Sequence, residues 1–331
     1  MSDLLILVTV DTEQDCTATW QAQVPLAFRS VHTGIVRRLQ PLCEALDVKP
    51  TYLLSPSVME DEAAAVALAS LAPAAELALH LHGEYVEPRR TYSADRAGAT
   101  DDLACHYPRW LEAAKLKSAT QLFSDTFGYL PRSYRAGRFA ADMQTLSTLA
   151  HLGYSVDSSA TPHVRWRDSR GEVDHRSAPQ QPCYVAVRPD GSGGVAKILE
   201  VPVSIAPRGD LRRRRYAPAR ILVRRCPALQ SRVGAPLWLR PSFSTERDLR
   251  AVADWHIDRF KHAPVICLNL LFHSVELTDG TSPYSSSLEE AERILGRVRS
   301  ILAYVRALGG SSETLSGVAA SAPWPTWKAQ G

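Results

Sequence analysis

The chain alternates between short, unbroken apolar runs and longer stretches whose apolar positions recur three and four residues apart. Residues 4–10 (LLILVTV) form a continuous β-rich run of the kind buried on both faces of a parallel sheet. Residues 31–46 (VHTGIVRRLQPLCEAL) have helical spacing, 50–55 (PTYLLS) give a second strand, 61–72 an Ala-rich helix and 76–82 (ELALHLH) a third strand. A helix over 109–127, a strand over 133–137 (SYRAG), a helix over 141–153 and a strand over 154–159 continue the alternation. Asp142 stands near the start of that second helix and Gly153 at its end. Strand and helix in turn predict an α/β domain on a mainly parallel sheet. Residues 160–240 are irregular, apart from a hairpin tip at 188–194 (RPDGSGG) and a strand over 198–205. Order returns with a helix near 246–262, the strand 265–274 (VICLNLLFHS), a helix over 286–307 and a short closing element at 311–320. One domain over 1–315 is expected, with an irregular insertion at 206–240 and a loose C-terminal tail over 316–331.

In parallel α/β sheets and barrels, chemistry collects at the carboxyl ends of the strands. Three predicted strands end at Asp11, His82 and Arg135, so unrelated segments deliver polar groups to one rim. Residues two apart on a strand face the same way, which pairs His80 with His82 and Asp11 with Glu13. Two imidazoles and a carboxylate from neighbouring strand ends can make a three-ligand site for a divalent ion, zinc foremost, with positions left open for water. The alternative for each histidine is an ordinary pocket or capping role. His273 closes another apolar strand and suits a general acid or base. Arg135 and Arg138 in YRAGRF lie near the same rim, where an arginine beside a carboxylate keeps it ionised; a surface salt bridge is the plainer reading.

Composition narrows the picture. The chain has 331 residues, 45% hydrophobic and 22% charged, which is ordinary for a globular protein. A net charge of +3 gives no global field for nucleic acid, and no recognition module supports RNA binding. The six cysteines are scattered without a C-x-x-C pair, which predicts reduced thiols, and Cys267 falls inside an apolar strand as core. The opening residues lack the basic flank and cleavage site of a signal peptide, and no stretch approaches the roughly 18 apolar residues of a membrane span, so a cytoplasmic protein is expected. Charge is concentrated in residues 206–232, with four consecutive arginines, Arg212 to Arg215, plus Arg224 and Arg225. The segment is either a solvated face or a patch for phosphate, as on a nucleotide-linked or lipid-pyrophosphate-linked sugar at the inner membrane surface.

Six segments in order, TVDTEQD, ELALHLHGE, YRAGRF, GYSVDSS, LEVPVSI and LNLLFHSVELTDGTSPY, resemble the polysaccharide deacetylase family, the NodB-homology carbohydrate esterases, in a divergent branch. The resemblance spans roughly residues 4–310. It implies an irregular (β/α) barrel of about seven strands that hydrolyses N-acetyl groups on amino sugars with a divalent metal. It implies Asp11 as catalytic base, Glu13 as a metal carboxylate, His80 as the first metal histidine, Arg135 as the arginine that orients the base with Asp157 as its partner, and His273 as the acid that protonates the leaving amine. Arg138 and Glu276 are expected to contact substrate. Two departures stand out. Thr12 replaces the usual second aspartate of the first motif, and Glu84 stands where the second metal histidine is usual, so either His82 or Glu84 completes the site. Relatives with an altered second motif act without metal on ureide-type substrates, which leaves a metal-independent C–N hydrolase as one alternative and a non-catalytic glycan-binding relative as another. No obligate protein partner is evident.

Overall fold

The computed structural model describes residues 2–72, 74–90, 103–167, 171–189, 194–208 and 235–327. The Arg212–Arg215 run, Arg224, Arg225 and most of the expected 206–240 insertion lie outside the described residues.

The strands are β1 (Asp3–Thr12), β2 (Pro50–Leu54), β3 (Glu76–Leu81), β4 (Ser133–Ala136), β5 (Val156–Asp157), β6 (Arg165–Arg167), β7 (Glu172–Asp174), β8 (Cys183–Val187), β9 (Ala196–Glu200), β10 (Ile205–Ala206), β11 (Leu237–Trp238), β12 (Val265–His273) and β13 (Ser311–Ser312). The main sheet runs β12-β1-β2-β3-β4-β5-β9-β8, with β13 beside the lower half of β1. Every pairing in it is parallel except β8 with β9, the hairpin flanking 188–194. The fold is therefore a mixed α/β fold on a curled sheet. Hydrogen bonds reach across the gap in the curl: Ser204 N–H donates to the Asn269 carbonyl at 3.2 Å, and Leu271 N–H to the Leu239 carbonyl at 3.1 Å. The side chain of Gln181 bonds both the N–H and the C=O of Cys267, satisfying part of the free edge of β12.

The period of two on each strand divides the core. Leu4, Ile6, Val8 and Val10 face outward and pack with Val31, Ile35 and Leu39 and with Ile294, Val298 and Leu302 of the helix Leu288–Ala307. Leu5 and Leu7 face the inside of the curl with Leu53, Ala78, Val156, Leu199 and Cys267. Towards the carboxyl ends that inner face turns polar, at Thr9 and Asp11 on β1 and at Asn269 on β12.

Most helices fall where the spacing puts them: Arg109–Phe127, Met143–His151 capped by Asp142, Glu246–Arg259 and Leu288–Ala307. Residues 31–46 differ. Ser30–Leu39 is a π-helix that continues into the α-helix Gln40–Ala45. Its buried residues, 30–31, 34–35 and 39, recur at four and five rather than three and four. The strand expected over 198–205 stops at Glu200, because Pro202 has no N–H to give a ladder.

The described part of the tail expected to be loose, residues 316–327, is packed. Leu315, Val318 and Trp324 fill the bottom of the curl beneath Leu5 and Leu7, the Trp324 indole donates to the Val318 carbonyl at 2.7 Å, and Trp327 N–H donates to Tyr184. A curled sheet has an apolar inner face that some segment must cover, and the local Pro and Gln content of the tail carries no trace of that demand. Trp324→Ala is expected to lower stability by about 3 kcal/mol, as for other buried tryptophans, read from the urea midpoint at unchanged m-value.

His256, on Glu246–Arg259, is fully buried, and burial pushes its pKa from 6.5 down to about 3. The unfolded chain then takes up a proton below pH 6.5 that the folded chain refuses. This contribution to stability is complete above about pH 6.5 and falls as the pH drops towards 3, by up to about 1.4 kcal/mol per unit. His256→Gln should flatten the pH dependence of unfolding in that window.

Candidate active site

Glu13 and His82 each lie just past a strand, at the mouths of β1 and β3, while His80 is inside β3. One carboxylate oxygen of Glu13 stands 2.9 Å from His80 Nε2 and 3.2 Å from His82 Nε2, and the ligating atoms of the three residues lie within 4.8 Å of one another. His80 Nδ1 is 3.0 Å from the carbonyl oxygen of Arg135, so that nitrogen carries the proton and donates. In a neutral ring Nε2 then presents a lone pair to a carboxylate oxygen. Acceptor faces acceptor unless the ring is protonated or a cation lies between them. The donor set of one carboxylate and two imidazoles, one of them oriented by a backbone carbonyl, fits zinc or a similar divalent ion. Burial pushes the Glu13 carboxyl up, but His82 and His80 outweigh it and hold it well below the usual carboxylate range. Gly137 matters here: a β-carbon there would sit 2.8 Å from the His82 ring, so only glycine lets the chain after β4 pass under that ring. Of the two candidates for completing the group, His82 faces Glu13, and Glu84 lies 3.7 Å from the other ring nitrogen, Nδ1.

Asp11 lies beside this group. Its Oδ1 accepts from Arg135 at 2.7 Å, and its Oδ2 is 3.8 Å from Nε2 of His273, its register partner on β12. Arg135 starts on β4 and crosses the inside of the curl to reach β1. It is fully buried, and its nitrogens also donate to the Ser158 carbonyl, the Ser158 hydroxyl and the Thr9 hydroxyl at 2.8–2.9 Å. Burial pushes the Asp11 carboxyl up, but the Arg135 guanidinium, then His80 and His273, more than offset this and hold it below its usual value.

His273 is held from its other nitrogen. Nδ1 lies 3.0 Å from Glu276 Oε1, which also accepts from the Arg240 guanidinium; that guanidinium stands 3.0 Å from Nδ1. The short helix Ser274–Leu277 turns Glu276 back onto the histidine three residues before it. Burial raises the Glu276 carboxyl, and Arg240 and His273 bring it below the usual range. Glu276, expected to touch substrate, is instead fully buried and committed to Arg240 and His273. The Trp20 indole lies beside the His273 ring, 5.3 Å between centroids and tilted by 57°.

Asp157 is placed elsewhere. The period of two turns Val156 into the curl and Asp157 out of it, where Asp157 meets Glu200, its register partner on β9. Burial raises both carboxyls, Glu200 well above its usual value, as in a pair that shares a proton. Arg135 gives its hydrogen bonds to Asp11, Thr9 and Ser158 and acts on Asp157 through its charge, which lowers the pKa of that carboxyl. Arg138 is exposed on the rim, in the left-handed region at φ 53°. Thr9, Ser158, Asn269, Arg240 and Trp20 were not singled out from the sequence. Thr9 and Asn269 left a signal: each is a lone polar residue in an apolar run, at even spacing from Asp11 and His273, and Thr9 donates to Asn269 at 2.8 Å.

No protein-family model matches the chain, and no curated protein matches it. Among solved structures it is similar to a candidate polysaccharide deacetylase from Mycobacterium smegmatis, at 15% identity and a TM-score of 0.53, over 100% of this chain and 95% of that one. It is also similar to a GH57-type branching enzyme from Pyrococcus horikoshii, at 9% identity and a TM-score of 0.50, over 99% of this chain and 72% of that one. A 4-alpha-glucanotransferase from Thermococcus litoralis matches at 13% identity and a TM-score of 0.50, over 97% of this chain, which spans 41% of that one. At these identities the likeness concerns the fold.

Purified protein is expected to bind one zinc ion per chain in equilibrium dialysis. Glu13→Gln or His80→Ala should weaken that binding by about a hundredfold or more, since loss of even an outer partner costs up to that much. Unchanged binding in both variants would remove Glu13 and His80 as ligands, and with them the three-residue site.

Proposed function

We propose that the protein is a hydrolase of amide C–N bonds that removes an N-acyl group, foremost N-acetyl, from an amino sugar or glycoconjugate. In this reading the curled sheet is an irregular (β/α)7-type barrel of the NodB-homology kind, with β12 as its last strand. One observation carries the proposal: a buried ionised carboxylate, Asp11, a histidine 3.8 Å from its second oxygen, and a separate carboxylate–imidazole–imidazole group converge on one rim. These supply a base, an acid and a cation site. A cysteine nucleophile fits poorly, because burial and then Glu13 push the nearby Cys16 thiol far up.

A divalent ion held by Glu13, His80 and His82 would polarise the amide carbonyl and lower the pKa of a water beside it. Asp11, kept ionised and fixed by Arg135, takes the proton as that water attacks the carbonyl carbon. His273 gives a proton from Nε2 to the departing nitrogen, so the C–N bond breaks to a free amine and a carboxylic acid. Glu276 accepts from Nδ1 and holds the ring in the orientation that aims Nε2 at Asp11 and the cleft. Glu84 supports His82, and Arg138 would meet the outer part of the substrate. A phosphate-linked sugar carrier held by Arg212–Arg215, and action in the cytoplasm or at the inner membrane surface, belong to the same proposal. Among the described residues no helix is long and apolar enough to cross a membrane.

Asp11→Asn keeps the shape of the side chain but cannot take a proton. It is expected to lower kcat on an N-acetyl amino sugar by about a hundredfold or more and, by taking the charge from beside the buried Arg135, to lower the urea midpoint, while the far-UV spectrum of the folded protein stays that of the parent. A variant that kept more than about a tenth of the parent rate would exclude Asp11 as the base.

A further inference from the structure

Trp20 is held in a conformation that bulky residues avoid. Its φ of 61° is left-handed, where glycine or asparagine is usual. The loop around it fixes that geometry from several sides. Thr17 N–H donates to Gln21 at 2.7 Å, Trp20 N–H donates to Thr17 at 3.1 Å, and Cys16 bridges to Ala22. The loop is also tied to the segment after β12: Cys16 N–H donates to Thr281 at 3.0 Å, and the Gln23 side chain donates to Gly280 at 3.1 Å. This backbone holds the indole 5.3 Å from the His273 ring and 5.7 Å from Tyr284, yet leaves Trp20 40% exposed. Phe243, 47% exposed, extends the aromatic surface beyond Tyr284 at 6.1 Å.

Strain held by an over-determined loop at the mouth of a site points to a task for the side chain. The proposed chemistry suggests which one. The nitrogen that receives a proton from His273 is bonded directly to a carbon of the sugar ring. That ring must therefore lie close to His273, and Trp20 is a large, partly exposed aromatic surface beside that imidazole. A pyranose presents a face of C–H bonds, and a flat indole offers a large apolar surface at small cost in side-chain freedom.

We infer that Trp20 is the platform on which the substrate's sugar ring stacks, and that it selects ring-bearing amides over acyclic ones. The inference rests on the amide-hydrolase reading of the rim. The aromatic arc through Tyr284 and Phe243 then continues the platform towards a second sugar unit.

The probe is N,N′-diacetylchitobiose. In saturation-transfer NMR on the Asp11→Asn protein, irradiating aromatic protons should transfer saturation to the sugar ring protons. Trp20→Leu should abolish the transfer and Trp20→Phe should keep most of it. With Asp11 intact, Trp20→Leu should raise KM for the disaccharide about tenfold with a much smaller change in kcat, and Trp20→Phe should restore KM to within about threefold. Equal behaviour of the Leu and Phe variants, or no transfer to the sugar in an Asp11→Asn protein whose far-UV spectrum matches the parent, would overturn the inference. If the parent protein binds the disaccharide through Trp20 and never hydrolyses it, the hydrolase reading fails while the platform stands.

Discussion

The site depends on one buried guanidinium. Arg135 is fully buried inside the curl, where an unpaired charge would be prohibitively costly. Its donors are met by Asp11 and Thr9 on β1 and by Ser158 after β5, so one side chain ties β4 to strands on both sides of the interior. Ser158 and Thr9 are bonded in turn to Asn269 on β12. The result is a connected polar layer across the upper half of the curl, with the apolar layer of Leu5, Leu7, Ala78, Val156 and Cys267 below it. A half-satisfied network at this depth would destabilise the fold, so the residues that orient Asp11 also hold the strands in place.

The same layer explains why two buried aspartates behave in opposite ways. Asp11 faces inward onto Arg135 and is held below its usual pKa. Asp157 faces outward onto Glu200, and burial leaves it above its usual pKa. For both, burial is the largest influence and raises the pKa, and the sign of the outcome is set by which face of the strand each occupies. A carboxylate kept ionised at a rim can accept protons, whereas burial behind the sheet holds the Asp157 and Glu200 carboxyls towards their neutral forms. His273 receives comparable treatment from Glu276 and Arg240, which fix one ring nitrogen and leave the other for the cleft.

Much of this was legible in the chain. The unbroken run at residues 4–10, the H-x-H at the end of ELALHLH and the lone histidine closing VICLNLLFHS follow from a rule that needs only local order: a parallel strand is apolar until its carboxyl end, where polar groups collect. Periodicity located four helices to within a few residues, because an amphipathic helix writes its buried face every three or four positions. The π-helix at Ser30–Leu39 was missed because its four-and-five spacing overlaps the helical pattern until Pro41.

What the sequence by itself determined was the set of strand-end groups and the class of sheet that gathers them, since both are matters of period and sign along a line. Tertiary structure decided how those groups are matched. That His82 and not Glu84 turns to Glu13, and that the hydrogen bonds of Arg135 go to Asp11 and not Asp157, depend on the curl of the sheet, which brings distant strands together and turns neighbours to opposite faces. The packed tail belongs there too, because Trp324 is core only once a curled sheet has left an open bottom to fill. Local pattern records which way a side chain points from its own strand; what it meets depends on closure of the whole sheet.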